Sequence, residues 1–332
     1  MSLIVNKLAE QFDASPEFVR KILGKQGLMD VASESRDVDT FAGVAGGAWK
    51  YIAYSLGTNQ RAKVSLDRML ALATPDQVGR ALDVGCGYGG FMNAFIQRGF
   101  TASGVEIDGH LAALARVNLG ESNEDAAISV GDLFSGDLAL GKFDLITVND
   151  VIEHLADPIG AFSTLAAMLN PGGVLGIYAP NGRSIFYASE DPHNRVFGSS
   201  ILPGPLARTY VQAMLNSTGY GLGEYLGIDV FRDLCDREKL RFHYLPHDGG
   251  ERPERAADYL SEFIAKFRSS DFRSKVPTLV ARSVEIAIWG YVAEYSGAAS
   301  RATAGTGYCE FKDTYLSRAW TIVCKKRGGE DR

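Results

Sequence analysis

The chain of 332 residues has little positive charge, since 34 Lys and Arg against 40 Asp and Glu give a formal net charge of −6. Proteins that bind nucleic acid mainly through phosphates usually carry a basic excess or patch, so this class is disfavoured. Cysteine is also scarce, and Cys86, Cys235, Cys309 and Cys324 form no C-x-x-C pair. This usage is typical of reduced thiols inside a cell, and we therefore expect a cytoplasmic protein.

Long apolar runs are missing as well. The N-terminus lacks the apolar stretch of a signal peptide, and the most apolar long window, 276–299, is interrupted by Arg282, Glu285 and Glu294. That window predicts a buried or amphipathic helix and no membrane span. With 46% hydrophobic and 22% charged residues, the chain can bury a sizeable core. We expect one large globular domain with additions, or two domains.

What the sequence does contain is a glycine-rich stretch directly after a short apolar segment. Residues 80–84 predict a strand, and glycines follow at alternate positions, namely Gly85, Gly87 and Gly89. Glycine permits φ > 0 in a tight turn, and its missing Cβ lets a ligand approach the backbone closely. Residues 91–97 then predict a helix that begins at this turn.

An acidic residue follows at the distance that a nucleotide-binding unit requires. A second apolar segment, residues 101–105, ends in Glu106, which lies 21 positions after Gly85. In Rossmann-type units an acid at about this distance binds ribose hydroxyls. The order of strand, glycine turn, helix, strand and acid therefore predicts an adenosine-containing ligand. The dinucleotide fingerprint G-x-G-x-x-G is not matched, because the chain reads G-x-G-x-G-G.

Strands and helices continue to alternate up to about residue 180. Further strands are predicted at 128–130, 143–148 and 174–179, with a turn at 170–173 before the last of them. This alternation predicts a doubly wound α/β fold with a mostly parallel, seven-stranded Rossmann-like sheet. Ligands of such sheets lie beyond the carboxyl ends of the strands. Four polar residues fall at such ends: Glu106, Asp132, Asn149 and Asn181.

Composition divides the chain into four parts. Residues 1–79 predict a helical N-terminal cap over the ligand or a dimer contact. Residues 80–245 predict the core, within which 183–229 are rich in Gly, Ser and Pro and predict an active-site loop. Residues 246–315 predict a helical insertion before the last strand, which shapes a substrate pocket or forms a homodimer contact. Residues 316–332 hold the last strand and the tail.

The glycine-rich stretch resembles a known family. Residues 83–89 match D-x-G-x-G-x-G, motif I of the class I S-adenosylmethionine (SAM)-dependent methyltransferases, with Asp83 as its first residue. Residues 143–158 and 169–173 resemble the ubiquinone-biosynthesis O-methyltransferase-like subgroup (methyltransferase type 11/12-like), which has an E-H pair after the fourth strand and a later L-x-P-G-G turn. The resemblance covers roughly residues 80–182.

The resemblance implies SAM as cofactor, S-adenosyl-L-homocysteine as product, and roles for individual residues. It implies that the glycine turn holds the amino-acid part of SAM, that Glu106 holds the ribose and that Asn149 contacts the methionine part. It also implies that Asp132 contacts the adenine amino group, with a turn-forming role as the alternative. The predicted cofactor-binding residues are Asp83, Gly85, Gly87, Gly89, Glu106, Ile107, Asp132, Leu133 and Asn149.

Residues just after the fourth strand are candidates for chemistry on an acceptor hydroxyl. Asp150, Glu153 and His154 stand at i, i+3 and i+4, so one helical turn would point all three the same way. Two carboxylates and one imidazole predict a divalent cation, Mg²⁺ or Mn²⁺ with Zn²⁺ as a further candidate, which would lower the pKa of an acceptor hydroxyl. The resemblance implies a later His as a further ligand, and His193 is the best candidate for it in this chain.

The resembled enzymes, and the small-RNA 2′-O-methyltransferases, show an E-x-x-E-H pattern here with a later His. This chain has Asp150 in place of the first Glu, a shorter arm that would weaken or retune the site. Two readings without a metal stay open. His154 can be the general base beside Glu153, because the pKa of histidine lies near neutrality. Alternatively, Glu153 and His154 cap a helix and bind loop backbone.

We therefore expect an enzyme that transfers a methyl group from SAM to a hydroxyl of a small molecule, such as a phenol, a sugar or a natural-product intermediate. RNA is the second candidate acceptor, disfavoured by the acidic pI near 5.5. A third reading is a non-catalytic, SAM-binding regulatory protein. Residues 8–23 have some helix-turn-helix character and would then bind DNA or a partner.

Overall fold

The computed structural model describes residues 3–120, 124, 126–136, 138, 140–247 and 249–328. Its strands are β1 (Arg80–Val84), β2 (Thr101–Glu106), β3 (Ala126–Val130), β4 (Phe143–Asn149), β5 (Leu169–Pro180), β6 (Leu240–His247) and β7 (Ala319–Lys326). They form one sheet in the order β3-β2-β1-β4-β5-β7-β6. Strand β1 runs parallel to β2 and β4, and β2 runs parallel to β3. The predicted mostly parallel, seven-stranded sheet is confirmed.

Helices lie between these strands in the sequence, and further helices precede β1 and separate β6 from β7. In the N-terminal half they are α1 (Leu3–Phe12), α2 (Pro16–Lys25), α3 (Met29–Glu34), α4 (Val38–Ala45), α5 (Trp49–Leu56), α6 (Thr58–Leu72), α7 (Gly90–Ile96), α8 (Gly109–Leu119) and α9 (Pro158–Met168). In the C-terminal half they are α10 (Ile185–Ser189), α11 (Gly204–Leu215), α12 (Ile228–Arg237), α13 (Ala256–Ser269), α14 (Phe272–Lys275), α15 (Thr278–Thr303) and α16 (Tyr308–Phe311). Among the described residues, no helix combines the length and the apolar character that a membrane span needs.

The chain forms two compact units. The first contains residues 1–149, 164–176 and 323–332, and the second contains residues 150–163 and 177–322. Each unit has its own cluster of buried apolar side chains.

In the first unit the N-terminal helices pack on one another and on α8. The core cluster includes Phe18, Phe41 and, from α8, Leu114. Helix α2 begins as its sequence predicts, because the Ser15 side chain accepts a hydrogen bond from the backbone N–H of Phe18. Such a cap satisfies one of the backbone donors that every helix start leaves unpaired.

Helices α6 and α7 of the first unit approach each other closely, and a glycine permits this contact. A Cβ atom on Gly90, the first residue of α7, would lie 2.7 Å from the carbonyl oxygen of Thr58. Real side chains do not tolerate such a distance to backbone, so the packing of this pair of helices requires glycine at position 90.

The second unit is built around aromatic side chains of α13 and α15. Both helices are predicted from the sequence. The rings of Phe263 and Phe267 are fully buried, and Tyr295 packs edge-on against Phe311 with ring centroids 5.2 Å apart. Aromatic pairs of this geometry stabilise a core beyond the area that they bury.

Two local expectations are wrong. Residues 170–173, predicted as a turn, belong to β5. Asn170 donates a hydrogen bond to Asp144, and Gly173 lies so close to the backbone of β4 that a Cβ there would be 3.1 Å from the Phe143 carbonyl oxygen. Residues 183–229 contain α10 and α11 as well as loop.

Helix α11 was not predicted because its apolar pattern is short and consists of three buried residues. They are Ala207, Tyr210 and Val211, and they stand at i, i+3 and i+4, the spacing of one helix face. The glycines and prolines on either side hide this short pattern.

Candidate active site

The glycine turn after β1 has the backbone conformation that its sequence predicts. Gly85, Gly87 and Gly89 have φ values of +71°, +51° and +77°, in the left-handed region. The backbone N–H groups of Gly85 and Cys86 both donate to the carbonyl oxygen of Val105, at 2.8 and 3.0 Å. The turn is thereby fixed to the end of β2. A Cβ on Gly87 would have, apart from its chain neighbours, a single atom of the described residues within 4 Å, the Gly85 carbonyl oxygen at 4.0 Å.

The predicted ribose acid lies against this turn. Glu106 is buried, and its Oε2 accepts a hydrogen bond of 2.8 Å from the backbone N–H of Gly87. Its Oε1 accepts a bond of 3.0 Å from the N–H of Asp108. Each oxygen of a carboxylate can accept more than one hydrogen bond, so both keep acceptor capacity for hydroxyl groups. This donor and acceptor chemistry fits a ribose diol.

Asp83 lies on β1, just before the glycine turn, and is fully enclosed. Its Oδ1 accepts a hydrogen bond of 2.7 Å from the Thr147 hydroxyl. Burial raises the pKa of Asp83 to about 7, the charge of Glu106 acts in the same direction, and the Thr147 hydrogen bond opposes both.

The other predicted cofactor-binding residues differ in exposure. Ile107 is 74% exposed although it is a large apolar side chain, which makes it available to one face of a planar ring. Leu133 is buried. The Asp132 side chain is exposed and accepts a hydrogen bond of 2.9 Å from the N–H of Phe134, the turn-forming role that its sequence position also predicts. Asn149 is the last residue of β4.

The N-terminal helices reach the glycine turn through Tyr88. The Tyr88 ring packs edge-on against Phe18, with centroids 5.8 Å apart, and its hydroxyl lies 3.3 Å from the Ser55 hydroxyl. The Asn118 amide donates to the Tyr88 carbonyl oxygen at 2.8 Å. All of these contacts lie within the first unit.

A second group of polar side chains lies in the second unit. One ligand atom each of Glu153, His154 and His193 falls within 4.8 Å of the others. The structure thus brings together three of the four predicted metal ligands. Asp150 is not a member of this group. It has a φ of +53° and precedes the short 3-10 turn Ile152–His154, so the expected helical turn that would align its side chain with the others is wrong.

The Glu153 carboxylate is buried in an unusual way. It is 1% exposed, and neither of its oxygens has a hydrogen-bond partner among the described residues. The Nε2 atoms of His193 and His154 lie 3.6 and 3.9 Å from its Oε1, longer than hydrogen bonds. A buried charge without a partner is costly, so this cluster is suited to a cation between the three side chains.

Burial opposes the charge on His193, yet the pKa of its imidazole is raised. The hydrogen-bonding capacity and charge of Glu153 outweigh the burial, together with the charges of Asp191 and Asp150. The neighbouring acids thus favour the protonated form of His193 more than burial disfavours it.

Three residues that sequence reasoning missed orient the two imidazoles. His154 Nδ1 lies 2.7 Å from the Gly221 carbonyl oxygen, and His193 Nδ1 lies 2.7 Å from the Tyr225 hydroxyl. That hydroxyl donates to Asp191 Oδ1 at 3.2 Å. The short spacing of Asp191 and His193 in the sequence could have indicated a local turn, but no pattern marks Gly221 or Tyr225.

A cavity of about 270 Å³ lies in the same unit. Tyr225 forms part of its wall, as do the apolar residues Ile201, Leu202 and Leu226. The polar groups of Asn181 in this wall are satisfied within the protein, since its amide donates to three backbone carbonyls and accepts from Arg183 N–H. Such a cavity has the size and character of a site for a small molecule.

Residues 57–208 match the model of a family described as a methyltransferase domain. The chain is 31% identical over 143 residues to a ubiquinone biosynthesis O-methyltransferase of Xanthomonas campestris pv. campestris, a match that covers 42% of this chain and 58% of that relative. The chain thus spans little more than half of the relative's length.

Two solved structures resemble the chain more weakly. Haemonchus contortus phosphoethanolamine N-methyltransferase 2, in complex with SAM, has a TM-score of 0.45 and 16% identity, over 90% of this chain and 59% of that one. A SAM-bound amino pentose methyltransferase from Micromonospora echinaspora has a TM-score of 0.32 and 29% identity, over 40% and 56% of the two chains. Residues 57–208, which contain the glycine turn and strands β1 to β5 of the sheet, are thus similar in sequence to a methyltransferase domain.

Proposed function

We propose that this protein transfers the methyl group of SAM to a hydroxyl of a small molecule, with Glu153, His154 and His193 assisting the loss of the hydroxyl proton. The observation that carries the proposal is the buried Glu153 carboxylate, which has two imidazole nitrogens within 3.9 Å and no hydrogen-bond partner among the described residues. The similarity to a ubiquinone biosynthesis O-methyltransferase supports a hydroxyl acceptor.

When bound, SAM supplies a methyl group that is already activated by a positively charged sulfur. The protein then has to hold the cofactor, orient the acceptor, exclude water and remove a proton. We assign the ribose hydroxyls to Glu106 and the amino-acid part to the glycine turn. Ile107 and Leu133 would contact the adenine ring, Asp132 its amino group, and Asn149 the methionine part. The buried carboxylate and the side-chain-free backbone at Gly87 support this assignment.

The cluster can act in two ways, and both use the side chains of Glu153, His154 and His193. In the first, Glu153, His154 and His193 hold a divalent cation, which would supply a Lewis acid that lowers the pKa of an acceptor hydroxyl. Two imidazoles and one carboxylate favour Mn²⁺ or Zn²⁺ over Mg²⁺. In the second, His154 alone accepts the proton. Its Nδ1 donates to the Gly221 carbonyl oxygen, so its Nε2 carries a lone pair.

The cavity lined by Tyr225 supports a small acceptor. Its volume of about 270 Å³ lies just below the usual range for small-molecule sites, which suits a compound with about one ring. Its wall combines the apolar residues Ile201, Leu202 and Leu226, which can pack against a ring, with Arg183 and Glu224, which can contact polar substituents.

Cofactor binding tests the first half of the proposal. Isothermal titration calorimetry with SAM and S-adenosyl-L-homocysteine should give saturable binding to the wild type. Glu106→Ala should weaken the affinity by at least about tenfold, because a buried carboxylate that accepts two ribose hydrogen bonds is lost. Glu10→Ala, which removes an exposed acid from α1 of the same unit, is the matched control. Equal affinity of Glu106→Ala and wild type would refute the assignment.

Methyl transfer tests the second half. The purified protein would be incubated with methyl-labelled SAM and a panel of phenols and catechols. If a cation is held, EDTA should abolish transfer and Mn²⁺ should restore it. If His154 is the base, transfer should survive EDTA and be lost in His154→Ala. Glu254→Gln, at an exposed acid of the second unit, should change nothing. Full activity of both Glu153→Ala and His154→Ala would exclude a role for the cluster.

A further inference from the structure

The segment 221–225 lies directly against the backbone of Glu153 and Leu155. The N–H of Gly223 donates to the Glu153 carbonyl oxygen at 2.6 Å. A Cβ atom on Gly223 would lie 2.2 Å from the Leu155 carbonyl oxygen, so only glycine allows the two stretches to come this close. This contact brings the Gly221 carbonyl and the Tyr225 side chain within reach of the two imidazoles.

The Gly221 contact fixes the position of the proton on neutral His154. A carbonyl oxygen can only accept a hydrogen bond, so the Nδ1 atom that lies 2.7 Å from it must carry the hydrogen. The lone pair of the neutral ring is then on Nε2, the atom that lies 3.9 Å from Glu153 Oε1.

The position of the proton on neutral His193 is fixed by two consecutive hydrogen bonds, one between His193 and Tyr225 and one between Tyr225 and Asp191. Asp191 is fully buried and accepts hydrogen bonds from the N–H groups of His193 and Asn194 and from the Ser199 hydroxyl. Because its carboxylate is an acceptor, the Tyr225 hydroxyl donates to it, at 3.2 Å. A phenol has a single proton, and this hydrogen bond uses it. Its oxygen must then accept from His193 Nδ1, at 2.7 Å.

We propose that Gly221 and the Asp191–Tyr225 pair hold both histidines as Nδ1–H tautomers, so that both Nε2 lone pairs are directed at the Glu153 carboxylate. Tyr225 is a positioning residue in this scheme, since it touches His193 and not the reacting atoms. The inference deepens the proposed function and rests on it for its purpose, because a neutral histidine can bind a cation or accept a proton only through an unprotonated nitrogen.

The position of the Tyr225 side chain also requires glycine at position 182. A Cβ on Gly182 would lie 2.6 Å from the Tyr225 Cβ and 2.8 Å from the Ser200 carbonyl oxygen. The Tyr225 side chain therefore occupies its place only because this neighbour has no side chain. Gly182→Ala should displace the phenol from His193 without altering any polar group of the cluster.

The tautomers can be measured on the protein without cofactor or metal. Protein labelled with ¹⁵N-histidine would be studied by long-range ¹H–¹⁵N correlation NMR at an alkaline pH where the imidazoles are neutral. His154→Gln and His193→Gln would assign the signals. Both rings should show the Nδ1–H pattern. An Nε2–H pattern for His193 in the wild type would overturn the proposal, whatever any variant does.

Two matched variants test the role of the phenol. Tyr225→Phe should convert His193 at least partly to the Nε2–H tautomer, while His154 stays unchanged. It should also weaken Mn²⁺ binding by about 10- to 100-fold, the usual cost of removing such a support. Tyr220→Phe, which removes a hydroxyl from a neighbouring tyrosine, should do neither. Retention of the His193 Nδ1–H tautomer in Tyr225→Phe would contradict the proposal.

The result separates the two proposals. If wild-type protein shows both Nδ1–H tautomers but neither binds Mn²⁺ nor transfers a methyl group, the orientation of the histidines stands and the proposed function fails. If methyl transfer occurs with His193 as the Nε2–H tautomer, the proposed function stands and this inference fails.

Discussion

Asp83 shows how a single buried acid makes this protein sensitive to pH. The residue is 3% exposed and its side chain accepts a hydrogen bond from the Thr147 hydroxyl, while Glu106 adds a second negative charge nearby. Burial is the largest cause of its raised pKa of about 7. In the unfolded chain this carboxyl would ionise near its ordinary pKa of 3.8. The folded state therefore holds a proton on Asp83 that the unfolded state releases.

Asp83→Asn should stabilise the protein more at higher pH. Because the folded pKa is raised, the stabilisation by the proton is complete below the unfolded pKa and is lost as pH rises to about 7. Each pH unit in this window costs about 1.4 kcal/mol. Urea unfolding at about pH 5 and about pH 8 should show the variant gaining on the order of 2 kcal/mol over wild type. Asp30→Asn, at an exposed acid, should show no such trend. An equal difference at both pH values would contradict the expectation.

The site residues divide sharply into those that sequence patterns reveal and those that they do not. The glycine turn, Glu106 and the pair Glu153–His154 follow from local spacing, because one strand end and the next few residues determine their positions. Tyr225 does not, since it lies 32 positions from His193 and reaches it only after two loops fold. The helical turn expected from Asp150 to His154 is not formed, because a backbone with φ of +53° breaks the turn that the i, i+4 spacing assumed.

At the level of helices and strands, the contact between α6 and α7 leaves no room for a side chain at position 90. Gly90 begins the helix that follows the glycine turn, and the backbone oxygen of Thr58 lies where its side chain would be. A flexible side chain could move aside, but backbone within a helix cannot do so without disturbing its own hydrogen bonds. A residue larger than glycine at position 90 would therefore displace α7, and with it the glycine turn that precedes this helix.

Gly90→Ala should lower the free energy of unfolding by about 1–3 kcal/mol, the usual cost of overpacking. The matched control is Gly43→Ala in α4, where a Cβ would meet no atom within 4 Å. That change should be neutral or stabilising by up to about 1 kcal/mol, because alanine is the better helix former. Chemical denaturation of the two variants decides between these expectations. Equal free energies of unfolding for the two variants would show that α7 can move to accommodate the added methyl group.

The elements that sequence reasoning placed correctly have strong local signals. Strands β1, β2 and β4 are short apolar segments with clear ends, and the buried face of α13 follows helical spacing. Helix α11 lacked such a signal because its three buried residues stand among glycines and prolines. The four-part division of the chain, and a homodimer contact by residues 246–315, stay predictions.

At the scale of the whole molecule, a cation bound to the Glu153 cluster should raise the thermal stability. A ligand that binds only the folded state adds about 2.7 kcal/mol at a concentration 100 times its dissociation constant. Mn²⁺ should therefore raise the unfolding temperature of wild-type protein by several degrees in differential scanning fluorimetry. Glu153→Gln should abolish the rise, and Glu254→Gln should retain it. An equal rise in all three would show that Mn²⁺ binds elsewhere.

The net charge of −6 bears on the choice of acceptor. Electrostatic attraction to phosphates supplies most non-specific affinity for nucleic acid, and this chain has an overall charge of the wrong sign. Methyl transfer to a phenol should therefore be unaffected by added RNA, and fluorescence anisotropy with a labelled RNA should show no binding that weakens with salt. Salt-dependent binding, or competition by RNA, would favour the nucleic acid instead.

The close packing of Gly182 against Tyr225 has one more consequence. The phenol that forms part of the cavity wall is also the group that orients His193. Because the Tyr225 ring lies in the wall, we expect a molecule bound in this cavity to contact it, and rotation of the ring would turn its hydroxyl away from the imidazole. Occupancy of the cavity and the orientation of His193 would then be coupled through one side chain, which makes Tyr225 a natural place to introduce a spectroscopic sensor of occupancy.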